Sequence, residues 1–181
     1  GDSCSPTCPW GTQMTDWVRE RMASNAIAAV EGRVRSGGGT IRASGSYVLY
    51  WMTAARRTRW SHGLQHAVAR AIELGKPLLV FEPLRVDAPW SSRRSHRFVL
   101  QGMADNARRF SECGITYYPY VEPEAGAGRG LLETLSASAC LVVTDQYPCH
   151  FLPRMLHAVM ERSDVAVEAV DGLGVIPLST P

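Results

Sequence analysis

Residues 44–64, SGSYVLYWMTAARRTRWSHGL, decide how the chain folds. Tyr47 to Trp51 is a continuous apolar run of aromatic and β-branched residues. Such a run marks a strand buried on both faces, and hence a parallel sheet. A loop with Arg56, Arg57 and Trp60 follows. Leu64, Ala67, Val68, Ala71 and Ile72 then recur as one face of an amphipathic helix, which Gly75 closes.

The same alternation continues downstream. Pro77–Phe81 reads as a second strand and 95–113 as a helix with Phe98, Val99, Met103 and Phe110 inward. Ile115–Val121 is a third strand, and Glu122–Gly130 a Gly/Ala/Pro-rich flexible loop. A short helix over 131–138 leads to the fourth strand, Ala139–Thr144. A helix over 152–162 precedes a fifth strand, Val165–Val170, whose alternating pattern suits a sheet edge. Crossovers of this length predict an open, doubly wound, Rossmann-like α/β fold. Its five parallel strands take the order 3-2-1-4-5, with helices on both faces. Residues 1–45 are expected to form a flexible leader and an N-terminal helical arm over 14–31, then a linker containing Ser36–Gly39. The α/β domain itself is expected over 46–181.

Composition excludes more than it assigns. The formal charge is +2, and Lys76 is the only lysine among 19 basic residues, so arginine supplies the rest. Arginine suits phosphate, carboxylate and ring contacts, but a biased genome yields the same count. The five cysteines show no paired CxxC spacing, so no metal site is expected. No apolar run reaches membrane-spanning length, and GDSCSPTCPWGTQM lacks the blocks of a secretion signal. A cytoplasmic location, with no membrane partner, is the resulting expectation. Neither GxGxxG after the first strand nor a P-loop, GxSxG or HExxH motif is present. No nucleophile–base pair is visible, so no catalytic residue is assigned.

Binding residues are sought at the carboxyl ends of the strands flanking the topological switch, between the first and fourth strands. Trp51 and Met52 end the first strand there, as core packing or as the lining of a cleft for a flat ligand. Asp145 and Tyr147 follow the fourth, Asp145 as a turn cap or a ligand contact and Tyr147 as a stacking ring. Arg56, Arg57 and Arg59 precede a helix start, where cations are disfavoured. They suggest either a solvated face or a partner carrying negative charge. Arg94, His96 and Arg97 open the next helix and are a second candidate interface. Trp60 is expected to pack back on its helix as a hydrophobic staple. His62 and His66 stand one turn apart without a third metal ligand in view.

Several of these pieces occur together in one family. Arg33-Val34-Arg35, Tyr47-Val48-Leu49-Tyr50-Trp51-Met52 with Arg56-Arg57, Gly75-Lys76-Pro77-Leu78, Ser95-His96-Arg97-Phe98 with Leu100-Gln101-Gly102, Gly114-Ile115, and Val142-Val143-Thr144-Asp145 with Tyr147 keep a common order and spacing. From about Arg33 to Pro177 the chain resembles the amino-terminal α/β domain of the DNA photolyases and cryptochromes, closest to the class II cyclobutane pyrimidine dimer photolyases. The resemblance implies an antenna-type domain that holds a deazaflavin-type pigment and is not catalytic alone. FAD, the electron-relay tryptophans and the lesion pocket belong in that family to a helical domain that these residues do not include. The implied partners are therefore an FAD-binding helical domain or subunit, and damaged DNA only indirectly. Trp51, Met52, Asp145 and Tyr147 are the implied pigment neighbours. Arg56, Arg57, Arg94, His96 and Arg97 are the implied partner interface. Thr53, Ser61-His62 and Tyr147-Pro148-Cys149-His150 depart from the family pattern. The alternative is a stand-alone binding, regulatory or structural subunit that docks a partner through its arginine patches.

Overall fold

The computed structural model describes residues 32–88, 91–174 and 176–177. In chain order the elements are β1 (Val34–Gly38), β2 (Tyr47–Trp51), α1 (His62–Glu73), β3 (Leu78–Leu84), α2 (Arg93–Glu112) and β4 (Thr116–Val121), followed by α3 (Leu131–Ala137), β5 (Ala139–Gln146), α4 (Leu152–Arg162) and β6 (Ala166–Asp171). The six strands form one sheet in the order β1-β6-β5-β2-β3-β4. All neighbouring pairs are parallel except β1 and β6.

The apolar runs account for the centre of the sheet. Val48, Leu49 and Tyr50 are wholly buried in β2, and β5 is buried from Ala139 to Asp145. Alternate residues serve opposite layers, as the two-residue period of a strand requires. Val48, Tyr50 and Val143 pack with Leu64, Ala67 and Ala71 of α1 and Phe110 of α2. Leu49, Trp51, Phe81 and Val142 pack on the other face, with Leu131, Leu132 and Leu135 of α3 and Leu156, Met155 and Val159 of α4 against them. Helix starts follow local signals. The Ser61 hydroxyl accepts the Leu64 amide, and Ser92 and Ser95 cap α2 reciprocally.

Three expectations change. The sheet has six strands, not five. The extra strand, β1, lies where a glycine linker at the end of the leader and arm was expected, so the sheet begins before residue 46. Val34 to Gly38 pair with Val170 to Ala166. The polar Val-Arg-Ser-Gly-Gly sequence carries no strand-like hydrophobic pattern; it is held by backbone pairing with β6, with Val34 packed on the core and Gly37 against Met160 of α4. Glycine permits the close approach: a Cβ at Gly39 would fall 2.1 Å from the Asp164 carbonyl oxygen, and Gly38 has φ of +77°. Because β1 covers its outer side, β6 is an interior strand with Val167 to Asp171 buried. The helical arm expected over 14–31 lies outside the described residues.

Candidate functional site

Three buried carboxylates organise the carboxyl edge of the sheet. Asp145 ends the buried part of β5, beside β2. Its Oδ2 accepts the amides of Thr53, Ala54 and Ala55 at 3.1, 2.9 and 2.9 Å. Its Oδ1 accepts the Tyr50 hydroxyl at 2.7 Å. Burial, and then the charge of Asp145, push the Tyr50 hydroxyl well above its ordinary pKa. Four donors thus occupy Asp145, which holds the loop after β2 in place of a ligand.

Glu82 of β3 is 1 % exposed. Its Oε1 accepts from Arg56 Nη1 at 3.1 Å, and its Oε2 accepts from Tyr117 hydroxyl at 2.6 Å and Asn106 Nδ2 at 3.0 Å. Arg56 Nη2 also donates to the Pro83 carbonyl at 2.6 Å. Burial and the Glu82 hydrogen bond push the Tyr117 hydroxyl far up. Glu122, also buried, follows β4. It accepts the Gly126 and Gly128 amides on Oε1 and the Val86 amide on Oε2. The loop read as a flexible linker, 122–130, is therefore tied down by a carboxylate and joined to the loop after β3.

Between these fixed loops lies a cavity of 670 Å³. Its floor includes Trp51, Phe81 and Tyr120, from adjacent strands β2, β3 and β4. Leu131 and Leu132 of α3, Phe151, and Leu152, Met155 and Val159 of α4 form apolar walls. Ser95 and His96 of α2, with Arg56, Arg85, Asp87, Glu122 and Arg129, form the polar part, and Val99 of α2 adds to the apolar one. Arg85 is paired with Asp87 at 2.8 Å and stands 5.8 Å from the centre of the Phe151 ring. Flat apolar walls with a few placed polar groups are the usual make-up of a small-molecule site.

The structure sorts the sequence-derived candidates. Trp51 lines the cavity. Met52 does not: it is wholly buried in the opposite layer, with Tyr50 and Leu64. Asp145 is consumed by Tyr50 and the loop amides, and Tyr147 is half-buried outside the lining. The cavity thus sits toward β3 and β4 rather than at the loop after Asp145. Arg56 is no free interface residue, since Glu82 and Pro83 hold its side chain. Arg57 is exposed and donates to the Trp60 carbonyl at 3.1 Å. Arg94 and Arg97 are exposed, whereas His96 is half-buried and belongs to the cavity. Trp60 is no staple: with φ of 54° and 85 % exposure it projects outward.

His62 and His66 do not act as a pair. His66 Nε2 donates to Glu168 Oε2 at 2.6 Å, and Arg70 Nη2 lies 3.2 Å from Glu168 Oε1. Among the described residues no group of three or more His, Cys, Asp or Glu is arranged to hold a metal. No helix among them is long and apolar enough to cross a membrane. Phe81, Tyr120, Glu122 and Phe151 escaped the sequence reading. Their sequence signal was position alone, at or just beyond the carboxyl ends of predicted strands or before a helix.

Similarity to known proteins is partial. No family model matches the chain. Over 71 residues, 39% of the chain, it is 42% identical to the deoxyribodipyrimidine photo-lyase of Methanothermobacter thermautotrophicus. The matched stretch covers 16% of that protein. This likeness supports the photolyase family and no finer class. Among solved structures, a universal stress family protein from Burkholderia pseudomallei is 17% identical with a TM-score of 0.40, covering 67% of this chain and 95% of its own. A universal stress protein from Archaeoglobus fulgidus is 15% identical with a TM-score of 0.41, covering 70% and 44%.

Proposed function

We propose that this chain is the amino-terminal, antenna-type domain of a photolyase-like DNA-repair flavoprotein of the class II kind. In this reading it binds a pigment and does not repair DNA alone. The supporting observation is the cavity at the carboxyl ends of β2, β3 and β4, floored by Trp51, Phe81 and Tyr120. A deazaflavin-type pigment suits that lining. Its flat ring matches the aromatic and aliphatic walls. The chemistry such a pigment supplies is absorption of light, with the excitation passed to a flavin. This chain's residues bind and orient: Trp51 and Phe81 give flat surface, while Glu82 and Glu122 keep the surrounding loops in place. FAD is assigned to a helical domain or subunit, and damaged DNA meets the chain only through that assembly.

The test is absorption and fluorescence spectroscopy of the chain after incubation with a deazaflavin and gel filtration. A co-eluting pigment band with quenched tryptophan emission is expected. A clean protein spectrum contradicts the reading.

A second reading, a docking subunit, is favoured by one observation. Phe98 is 78 % exposed on α2, beside exposed Arg94 and Arg97. Capture of a flavin-bearing helical partner that Phe98→Ser abolishes supports it. Capture unaffected by that change counts against it.

A further inference from the structure

We infer that the loop 53–61 carries a second binding surface, on which the Trp60 indole stacks a base of a single-stranded nucleic acid while Arg57 and Arg59 meet its phosphates. This surface is separate from the cavity, whose lining does not include Trp60, and the inference goes beyond the pigment reading without resting on it. Within the proposed assembly it gives the nucleic acid one weak, direct contact with this chain.

The Trp60 side chain is 85 % exposed, and no other large apolar side chain of the loop or of the first two turns of α1 is exposed beside it. Its backbone, with φ of 54°, occupies the left-handed region, which costs a bulky residue free energy. An indole this exposed adds little packing to the fold, so the strained backbone serves to present it. Arg57 Nε donates to the Trp60 carbonyl at 3.1 Å, which fixes the turn and sets a cation next to it.

The surroundings are positive. From Thr53 to Ile72 the sequence holds Arg56, Arg57, Arg59 and Arg70 and no acidic residue. Arg57 and Arg59 are exposed, and Arg109 of α2 reaches Thr58 Oγ1 at 3.4 Å. His62, at the start of α1, is pushed below its ordinary pKa first by burial and then by Arg33 and Arg57. The carboxylates beneath the loop, Asp145 and Glu82, are buried and already taken by the loop amides and by Arg56. The core of a protein interface gathers several apolar side chains. A lone ring among arginines suits instead the alternation of base and phosphate in a single strand of nucleic acid. A duplex keeps its bases stacked on one another and offers the ring none.

The experiment follows the anisotropy of short, labelled oligothymidine and oligouridine as the full chain is added at several salt concentrations. Wild type should bind at least one of them in the micromolar range at low salt, and more tightly than a duplex. The tighter of the two tells DNA from RNA. Trp60→Ala should weaken binding about tenfold, and Arg57→Ala should lessen the salt slope by about 0.7. Trp60→Asn should lose as much affinity while holding or raising the Tm, because asparagine adopts the left-handed region readily. That variant separates a ring presented to a ligand from one the fold needs. No binding of either oligonucleotide, binding that both Trp60 variants leave unchanged, equal binding of a duplex, or a clear fall of the Tm in Trp60→Asn would overturn the inference. Equally tight binding of labelled polyglutamate would point to an acidic protein surface and overturn it too. None of these outcomes bears on the pigment reading, which the deazaflavin titration tests by itself.

Discussion

The Tyr50 hydroxyl donates to Asp145 Oδ1 at 2.7 Å, joining the middle strand β2 to its neighbour β5 beneath the loop that follows β2. The other oxygen of Asp145 gathers three consecutive loop amides. One carboxylate therefore fixes both the strand and the chain that leaves it.

Asp145→Ala should destabilise the fold by about 3 kcal/mol, because buried donors lose a charged acceptor. Tyr50→Phe, which removes one of the four donors, should cost about 1–2 kcal/mol. Urea denaturation of both variants measures this. Equal stability of Asp145→Ala and wild type would contradict the structural role.

Gly63 lies in the first turn of α1, above the same pair. On helix propensity alone, alanine would gain about 1 kcal/mol there. Its Cβ, however, would sit 2.6 Å from Asp145 Oδ1 and 2.9 Å from the Tyr50 hydroxyl oxygen. Gly63→Ala should therefore destabilise, by about 1–3 kcal/mol. Thermal melting gives the sign directly, and a raised Tm would show that the site yields.

Glu82 is the acceptor for Arg56, Asn106 and Tyr117. Glu82→Ala leaves the partly buried guanidinium and two further donors without it, and should cost about 3–5 kcal/mol. Arg57→Ala, at an exposed side chain one residue on from Arg56, should change stability by less than about 0.5 kcal/mol. Chemical denaturation of the two variants separates a structural arginine from a surface one.

Stability should fall on both sides of neutrality. Tyr47, Tyr50 and Tyr117 have pKa values raised above their ordinary 10.0, mainly by burial. The folded state holds these protons more tightly, so this stability is full below pH 10 and is lost as pH rises beyond it. His62 is lowered from its ordinary 6.5, first by burial and then by Arg33 and Arg57. Its contribution is full above pH 6.5 and is lost as pH falls through the lowered value. Melting temperatures from pH 5 to 11 should trace this dome, and Tyr50→Phe should lessen the alkaline fall.

The parts of the fold legible in the sequence are those that burial writes into hydrophobic pattern. β2 and β5 are apolar on both faces, and α1 shows one clean apolar stripe. β1 was illegible because an edge strand held mainly by backbone pairing, with Val34 its one apolar side chain, shows no apolar pattern, and its glycines read as a linker. β6 looked like an edge for the related reason that Glu168 interrupts it, yet Glu168 is buried against His66 and Arg70. Trp51, placed by its position at a strand end, lines the cavity. Asp145 was located but misassigned, since its amide partners lie 90 to 92 residues earlier in the chain. Arg56 looked unpaired because Glu82 sits inside an otherwise apolar strand, 26 residues away.

The pigment reading stands or falls on the cavity itself. The decisive measurement is a fluorescence titration of the chain with a deazaflavin, alongside Leu131→Trp, which narrows the cavity from its α3 wall. The account expects saturable one-to-one binding with tryptophan quenching, weakened at least about tenfold by Leu131→Trp. Binding that is absent, or that Leu131→Trp leaves unchanged, would contradict it.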